Sequence, residues 1–205
     1  MREIIVVFAN SVKNSKHCVA GKNYQTKKWV RPVADASGAE LSDTQCTYKN
    51  PYGTFLIKPL QKVEIDFLER APLINQPENY TVNNTQWVQN YKIDTQELLS
   101  YLDSPETLWG VGNRVDYSQI LSGQQVILQS LYLVEVQNLE LQNVGGKRRA
   151  RFLFQGVHYD LPVTDPNFDK ILGSPCHGRC VLCVSLAGNY GGYCYKIVAT
   201  IFRGI

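Results

Sequence analysis

Two groups of about five short strand-like segments, separated by a stretch of helical character, are the feature that most constrains the fold. Within residues 61–67, polar and apolar side chains alternate strictly from Lys62 onward, which is typical of a half-exposed strand. Residues 94–125 instead contain two helix-start signals, one at Asp94 and one at Ser104-Pro105. The 205 residues therefore divide into a β-rich first part, a helical bridge and a β-rich last part.

The predicted strands have the number and length expected of small barrels. They cover residues 3–9, 17–24, 28–33, 61–67 and 86–93 before the bridge, and 126–141, 148–155, 157–161, 180–186 and 193–202 after it. Residues 35–53 are rich in turn-forming residues, 72–80 are predicted as a loop, and Gly145-Gly146 is predicted to form a hairpin turn. Five short strands are the content of an OB barrel, a Greek-key barrel that binds oligonucleotides or oligosaccharides.

We therefore predict a mainly β, β-rich α+β fold with two OB-like Greek-key barrels joined by a short helical bridge. The predicted boundaries are an N-terminal barrel at residues 1–93, a helical bridge at 94–125 and a C-terminal barrel at 126–205. Strand number alone leaves a pair of SH3-like or other small barrels open as an alternative.

The charge is distributed unevenly along the chain. Residues 1–33 have a net charge of +6, residues 34–135 of −7 and residues 136–205 of +4, which together give the total of +3. Two basic ends thus flank an acidic middle. If the ends met in space they would form a positive face of the kind that binds nucleic acid. Solvated surface lysines are the alternative interpretation.

Cations and an aromatic residue are concentrated near the N-terminus. Lys13, Lys16 and Lys28 are suited to neutralising phosphates, while Arg31 can bind a phosphate or a guanine edge through two parallel hydrogen bonds. Trp29 lies two residues before Arg31, so the two side chains would share one strand face. On an OB surface the tryptophan ring would stack on a base. The same pair also fits the rim of a packed core.

Polar residues supply two further candidate contacts. Asn10 and Ser11 end the first predicted strand, a place where ligand contacts and simple strand termination are both common. Gln76, Glu78 and Asn79 lie in a predicted loop, and their amide and carboxylate groups could bind a base edge. Capping of loop backbone groups is the alternative role for these side chains.

The densest cluster of positive charge lies at the predicted hairpin after Gly145-Gly146. It contains four cations within five residues, namely Lys147, Arg148, Arg149 and Arg151. Arg149 and Arg151 would share one strand face. Hairpin loops of OB barrels take part in oligonucleotide binding, so we predict a nucleic-acid contact here, with a solubilising turn as the alternative.

The cysteines match metal-site spacing only superficially. Cys176, Cys180 and Cys183 have the spacing of a radical-SAM motif, but only 22 residues follow Cys183. A separation of three residues in a strand sends the thiols of Cys180 and Cys183 to opposite faces. Zinc bound by Cys176, His177 and Cys180 with a distant fourth ligand remains an alternative. We predict neither a metal nor a cofactor.

Catalytic motifs are equally weak. The sequence contains no P-loop, no GxGxxG before a helix and no HExxH. His158 and Asp160 would share a strand face, but no nucleophile motif accompanies them. An enzyme would have to build its site from scattered residues such as Asp66, Glu78, His158 and Asp160. We therefore assign no catalytic residue and expect a protein that is not an enzyme.

The location of the protein follows from the apolar segments. No apolar run approaches the roughly 18 residues of a membrane span, and the N-terminus has no features of a signal peptide. We expect a cytoplasmic protein with no membrane partner.

Five short motifs occur in order along the chain: Asn10-Ser11-x-Lys13, Cys18-Val19-Ala20-Gly21, Trp29-Val30-Arg31-Pro32-Val33, Gln76-Pro77-Glu78-Asn79, and Ser185-Leu186 followed by Tyr195-Lys196-Ile197-Val198-Ala199. In order and spacing they resemble the bacterial dual OB-containing domain family over residues 4–201. The resemblance implies two OB-like barrels that recognise nucleic acid, often in a mobile-element or defence context. An operon-encoded protein partner would fit that context. The resemblance implies no catalytic mechanism.

The leading functional hypothesis is a non-catalytic module that binds single-stranded or structured DNA or RNA through basic and aromatic OB surfaces. The first alternative is an enzyme, or an accessory subunit of one, that processes nucleotides or nucleic acid. The second alternative is a protein-interaction module that uses the acidic middle and the helical bridge.

Overall fold

The computed structural model describes residues 1–13, 16–174 and 178–205, without the side chain of Lys13. The chain forms two compact units. The first unit comprises Met1–Leu73 and Pro77–Tyr101, and the second comprises Ile74–Gln76 and Leu102–Ile205. Residues 94–125 are divided between them, because the chain passes from one unit to the other after Tyr101.

The first unit is built almost entirely from strands. Its strands are β1 (Arg2–Lys13), β2 (Lys16–Asn23), β3 (Trp29–Val33), β4 (Thr47–Asn50), β5 (Gly53–Leu56), β6 (Gln61–Arg70), β7 (Asn79–Val82) and β8 (Trp87–Lys92). A 3-10 turn at Thr44–Cys46 precedes β4, and helix α1 (Thr95–Leu98) with a 3-10 turn at Leu99–Tyr101 ends the unit. Asp94 caps α1 by accepting a hydrogen bond from the Glu97 amide, as its N-cap signal predicted.

Five of these strands close into a barrel. The order is β1-β2-β3-β7-β6, and β6 pairs back onto β1. The neighbours are antiparallel except β3 and β7, which run parallel. Strands β8, β4 and β5 extend the sheet from β6. The predicted OB-like barrel is thereby confirmed for this unit.

Two elements of the first unit differ from the sequence-based expectations. The fifth barrel strand is β7, which begins inside the predicted loop at 72–80, whereas the predicted strand at 86–93 is β8, outside the ring. Strand β7 has only four residues, too few for a periodic signal, and its polar Asn79 and Thr81 are as buried as Val82. The turn-rich stretch at 35–53 also contains β4, whose four residues are too few to give a periodic signal.

Strand β1 pairs on both sides. Its first half pairs with β6, and it pairs with β2 from Ile5 onward, with an irregularity between Val7 and Ala9. Gly21 on β2 is required by this close approach. A Cβ atom at Gly21 would lie 2.3 Å from the Val6 carbonyl oxygen, closer than any real contact. The glycine of the Cys18-Val19-Ala20-Gly21 motif therefore has a structural role.

The second unit has the same strand topology. Its elements are β9 (Arg114–Asp116), α2 (Tyr117–Leu121), β10 (Leu131–Val144), β11 (Lys147–Phe154), β12 (Val157–Pro162), α3 (Phe168–Ile171), β13 (Cys180–Tyr190) and β14 (Tyr193–Arg203). The sheet order is β12-β11-β10-β13-β14-β9. A parallel bridge between Val163 and Val198, just beyond β12, joins the third barrel strand to the fifth. The predicted second OB-like barrel is thereby confirmed.

Strand β10 serves both halves of this second barrel. Residues 131–136 pair with β13, and residues 137–144 pair with β11. The register shifts between Gln137 and Glu140, where Asn138 has a φ of 53°. The Gly145-Gly146 turn that follows has positive φ at both residues, as the hairpin prediction required.

A buried lysine fixes the segment that leads into β9. Lys196 on β14 is 0% exposed, and its Nζ donates to the carbonyl oxygens of Gly110, Val111 and Gly112. Burial lowers the pKa of Lys196 to about 8. The lysine of the Tyr195-to-Ala199 motif therefore holds a glycine-rich loop against the barrel.

Within the described ranges, each helix is too short or too polar to cross a membrane.

Candidate nucleic-acid interface

In the first barrel, the outer face of β3 and of the end of β2 that pairs with it is buried. Val30 belongs to the barrel core, which places Trp29 and Arg31 together on the opposite face of β3, as the sequence predicted. Trp29 is nevertheless only 6% exposed. Its ring packs edge-on against Phe8, with the ring centroids 6.1 Å apart.

The segment after α1 supplies contacts on this face. Tyr101 packs against Phe8 with ring centroids 5.1 Å apart, and its carbonyl oxygen accepts a hydrogen bond of 2.7 Å from the Lys22 ammonium. The same ammonium lies 5.0 Å from the centroid of the Trp29 ring. Burial raises the pKa of Tyr101 to about 12. Cations and aromatic rings on this face therefore contact one another.

Arg31 and the Gln76-to-Asn79 motif are also buried. Arg31 Nε lies 3.4 Å from Glu78 Oε1, and the Arg31 amide donates to the Glu78 carbonyl oxygen. Asn79 is fully buried at the start of β7, opposite Arg31 in the parallel pairing, and Gln76 is buried as well. This burial favours the structural interpretation of the motif. Contact with a base edge stays a prediction.

Asn10 takes part in a polar chain beside β1. Its Nδ2 donates to the Ile57 carbonyl oxygen, and its Oδ1 lies 2.8 Å from His17 Nδ1. The other ring nitrogen of His17 contacts Asp43 Oδ1 at 2.8 Å. Ser11 is half-buried opposite Cys18. Asn10 therefore links two segments of the first unit.

The predicted lysines of the first unit lie at or next to strand ends. Lys16 begins β2 and Lys28 precedes β3, both exposed, whereas the side chain of Lys13 lies outside the described residues. Lys27 and Lys62 flank the ring of Tyr24. The cations of the first unit are thus divided between exposed strand ends and contacts with aromatic rings.

In the second barrel, β11 and β12 present an open face. Arg149, Arg151 and His158 alternate with core residues and point away from the core. Arg149 and Arg151 converge on Asp160, with Nε–carboxylate distances of 2.7 and 3.2 Å. The prediction that the two arginines share a strand face is confirmed. We call Arg149, Arg151, His158 and Asp160 the basic hairpin face.

Acidic neighbours reduce the charge of this hairpin. Burial tends to raise the pKa of Asp160, but the hydrogen bonds and charges of Arg149 and Arg151 lower it overall, so the carboxylate stays ionised. Arg148 forms an ion pair with Asp169 instead. The four cations in sequence therefore provide less net charge than their density suggested, and Lys147 is exposed at the tip.

A second surface of this barrel was missed by the sequence analysis. Tyr190, Tyr193 and Tyr195 flank the Gly191-Gly192 turn between β13 and β14, and Arg114 on β9 lies over the Tyr193 ring. We call these four residues the tyrosine face. A two-glycine turn between tyrosines was a visible signal in the sequence, but strand β9 was not predicted, so Arg114 could not be placed there.

The cysteine predictions are partly resolved. Cys180 lies in the core of the second barrel with Leu182 and Val184, which places Cys183 on the opposite face of β13, as predicted. Cys180 is disulfide-bonded, whereas Cys183 is a thiol. Cys176 and His177 lie outside the described residues. Among residues 1–13, 16–174 and 178–205, no cluster of His, Cys, Asp or Glu is suited to a metal ion.

Three of the four residues considered for catalysis, Asp66, Glu78 and Asp160, form ion pairs. Asp66 accepts from the N-terminal amine, and Glu78 pairs with Arg31. His158 and Asp160 share a face of β12, as predicted, and Asp160 contacts the two arginines.

Comparison with known families settles which group the chain falls in. Residues 3–201 match the Dual OB-containing domain. The chain belongs to this family. The resemblance noted in the five motifs is thereby confirmed, and two OB-like barrels account for the match over nearly the whole length. None of the curated proteins matches this dual OB-containing domain.

Solved structures similar to this dual OB-containing domain include three with very low sequence identity. The tetrameric p202 HIN2 structure has 7% identity and a TM-score of 0.38, covering 100% of this chain and 92% of its own. A murine DNA-binding protein bound to double-stranded DNA has 7% identity and a TM-score of 0.40, covering 100% and 96%. The Ifi202 HINa domain in complex with 20-bp double-stranded DNA has 9% identity and a TM-score of 0.37, covering 100% and 95%. At these scores the likeness bears on neither function nor ligand.

Proposed function

We propose that this dual OB-containing domain is a non-catalytic module that binds DNA or RNA, single-stranded or structured, through its second barrel. The observation that carries the proposal is the basic hairpin face. Strands β11 and β12 are the second and third strands of their barrel, and OB barrels bind oligonucleotides on the face of those strands. Arg149 and Arg151 point outward from this face, whereas Arg31 on the corresponding face of the first barrel is buried.

The arginines keep donors for a ligand after pairing with Asp160. A guanidinium has five N–H donors, and Arg151 contacts the carboxylate through Nε while its side chain is 52% exposed. Asp160 orients the two guanidinium groups and offsets one of their charges. Lys147 adds an exposed cation next to the turn. Phosphate binding by such groups releases counterions, so affinity depends on salt concentration.

The proposal extends to the setting of the protein. We place the module in the cytoplasm and in a mobile-element or defence system with a protein partner encoded nearby; the resemblance to the family implies the mobile-element or defence context. The residues that the sequence singled out in the first unit become secondary contacts in this proposal, led by the exposed Lys16 and Lys28.

Titration of labelled single-stranded DNA and RNA, followed by fluorescence anisotropy at about 50 and 200 mM salt, tests the proposal. We expect the dissociation constant to rise steeply with salt. No binding below about 10 µM at the lower salt would contradict it, because non-specific binding alone is usually near that strength. Turnover of the oligonucleotides in the presence of divalent metals would instead support the enzyme alternative.

A matched pair of double variants tests the location. Arg149→Gln with Arg151→Gln removes two charges from the basic hairpin face, and Lys49→Gln with Lys92→Gln removes two exposed charges from strands of the first unit. We expect only the first pair to weaken binding and to lower the slope of log affinity against log salt, by about 0.7 for each phosphate of a single strand that is no longer neutralised. Equal effects would mean that binding follows net charge alone.

A further inference from the structure

The tyrosine face combines three aromatic rings and one guanidinium on a single side of the β13–β14–β9 sheet. Tyr190 pairs with Tyr193 across the hairpin, and Tyr195 pairs with Arg114 on β9. Directly opposite residues of antiparallel strands point to the same side, and so do residues two apart on one strand. The four side chains therefore share one surface, while Cys194 between them is fully buried on the other side.

The rings are arranged for contact with a ligand as well as with one another. Tyr190 is 78% exposed next to the turn. Tyr193 and Tyr195 are half-buried and pack edge-on with centroids 6.4 Å apart. The Arg114 guanidinium carbon lies 3.9 Å from the Tyr193 ring centroid, so the cation is held by the aromatic ring.

The backbone holds this arrangement in place. Gly191 and Gly192 have φ values of 60° and 86°, the left-handed pair that a two-residue hairpin turn requires. The Tyr117 amide donates to the Gly192 carbonyl oxygen, and the Asn189 side chain accepts from the Gly192 amide. The turn is therefore fixed on both sides, and ligand binding would not have to order it.

We propose that the tyrosine face stacks the unpaired bases of a single-stranded nucleic acid, which rests on and deepens the function proposed above. Bases stack on tyrosine rings and on guanidinium planes, and every base has a ring face to offer. In a duplex the base faces are covered by their neighbours. The tyrosine face therefore selects unpaired strands, whereas the basic hairpin face contacts phosphates of either form.

The charge of the surface defines where the phosphates run. Arg114 supplies the cation, while Asp116 lies opposite Tyr193 in the same sheet. Asp116 accepts hydrogen bonds from the Ser118 hydroxyl and amide, which lower its pKa and keep it ionised. The phosphates are therefore expected on the Arg114 side, with the bases over the exposed Tyr190 ring and over the Arg114 guanidinium plane that covers Tyr193.

Binding of a labelled single-stranded oligonucleotide and its duplex to three variants tests the inference. Tyr190→Ala removes the most exposed ring of the tyrosine face, and Tyr190→Phe keeps a ring without the hydroxyl. As the control, Tyr52→Ala removes a tyrosine of at least the same exposure from the β4–β5 turn of the first unit. We expect Tyr190→Ala to weaken single-strand binding about 5- to 150-fold without changing the salt slope, because stacking releases few ions. Tyr190→Phe and Tyr52→Ala should bind like the parent chain, and duplex binding should change little.

The outcomes separate this inference from the function on which it rests. If the parent chain binds no nucleic acid, the proposed function fails. If the parent chain binds but Tyr190→Ala matches Tyr52→Ala on single strands, the stacking role is wrong and the proposed function stands. Equal weakening of single-strand and duplex binding by Tyr190→Ala would also overturn the stacking role. Circular dichroism of each variant shows whether it is folded like the parent chain.

Discussion

The two barrels share a strand topology, but where the second and third strands pair, their outer face is buried in the first barrel and open in the second. In the first barrel all five residues of β3 are buried, and Trp29, Lys22 and Tyr101 pack together on its outer side. In the second barrel β11 and β12 alternate between core and exposed or half-buried residues, with Arg149 and Arg151 pointing outward. The same residue types, an arginine and its carboxylate partner, are structural in one barrel and accessible in the other. Topology alone therefore does not identify a binding face.

The largest expected effect comes from the ring at the centre of the closed face. Trp29→Ala should destabilise the first unit by about 3–5 kcal/mol, because truncating a buried tryptophan leaves a cavity. Urea unfolding followed by circular dichroism measures the loss. A stable variant with weakened nucleic-acid binding would show instead that this face is a ligand surface.

The next effect concerns the buried ion pair of the same face. Arg31→Met should cost about 3 kcal/mol, because it leaves the Glu78 carboxylate buried beside an apolar side chain. Adding Glu78→Gln to Arg31→Met should recover part of that loss in the same unfolding measurement. In the second barrel, by contrast, Asp160→Asn removes a carboxylate that is 42% exposed, so its cost in stability should be smaller than that of Arg31→Met.

A pH effect is expected from the buried lysine of the second barrel. Lys196 has a pKa of about 8 in the folded chain against 10.5 as its ordinary value, so between these pH values the unfolded chain binds more protons. The free energy of unfolding should therefore rise with pH from about 8 to 10, by up to about 1.4 kcal/mol per pH unit, relative to Lys196→Met. Unfolding curves of both proteins at several pH values measure this difference. Identical pH dependence in the two would contradict it.

The smallest effect tests the carboxylate of the basic hairpin face. Asp160→Asn should tighten nucleic-acid binding about threefold to tenfold, which is about 1 kcal/mol, because it removes a negative charge beside Arg149 and Arg151. Its cost in stability should be below about 1 kcal/mol, since the pairs are partly exposed. Anisotropy titrations give the affinity. Weaker binding would mean that orientation of the arginines by Asp160 matters more than their net charge.

Much of the fold could be predicted from local patterns. The alternation of β6, the glycine pair after β10 and the cap at Asp94 appear in the structure at or near the predicted residues. Strands β4 and β7 could not be found in this way, because four residues carry too little periodicity. Strand β9 has three residues and was hidden in a stretch with helical signals.

The candidate site was predictable only in part. The sequence showed that Arg149 and Arg151 share a strand face, because side-chain direction follows from strand periodicity. It did not show that both contact Asp160, or that Trp29 and Arg31 share a face that is covered. The contacts of Asp160 and the burial of Trp29 and Arg31 depend on which segments pack against which strand, and a local sequence pattern does not predict such packing.

The sequence by itself determined the two-barrel architecture, the family and the position of the basic hairpin. Strand periodicity, turn chemistry and motif order are local properties, so they can be identified without knowledge of long-range contacts. Only the tertiary structure decided which face is open and which cations are paired, and it brought Arg114 beside Tyr193 and Tyr195 from a distant part of the chain. The physical reason is that burial and ion pairing depend on neighbours in space, and those neighbours lie far apart in sequence.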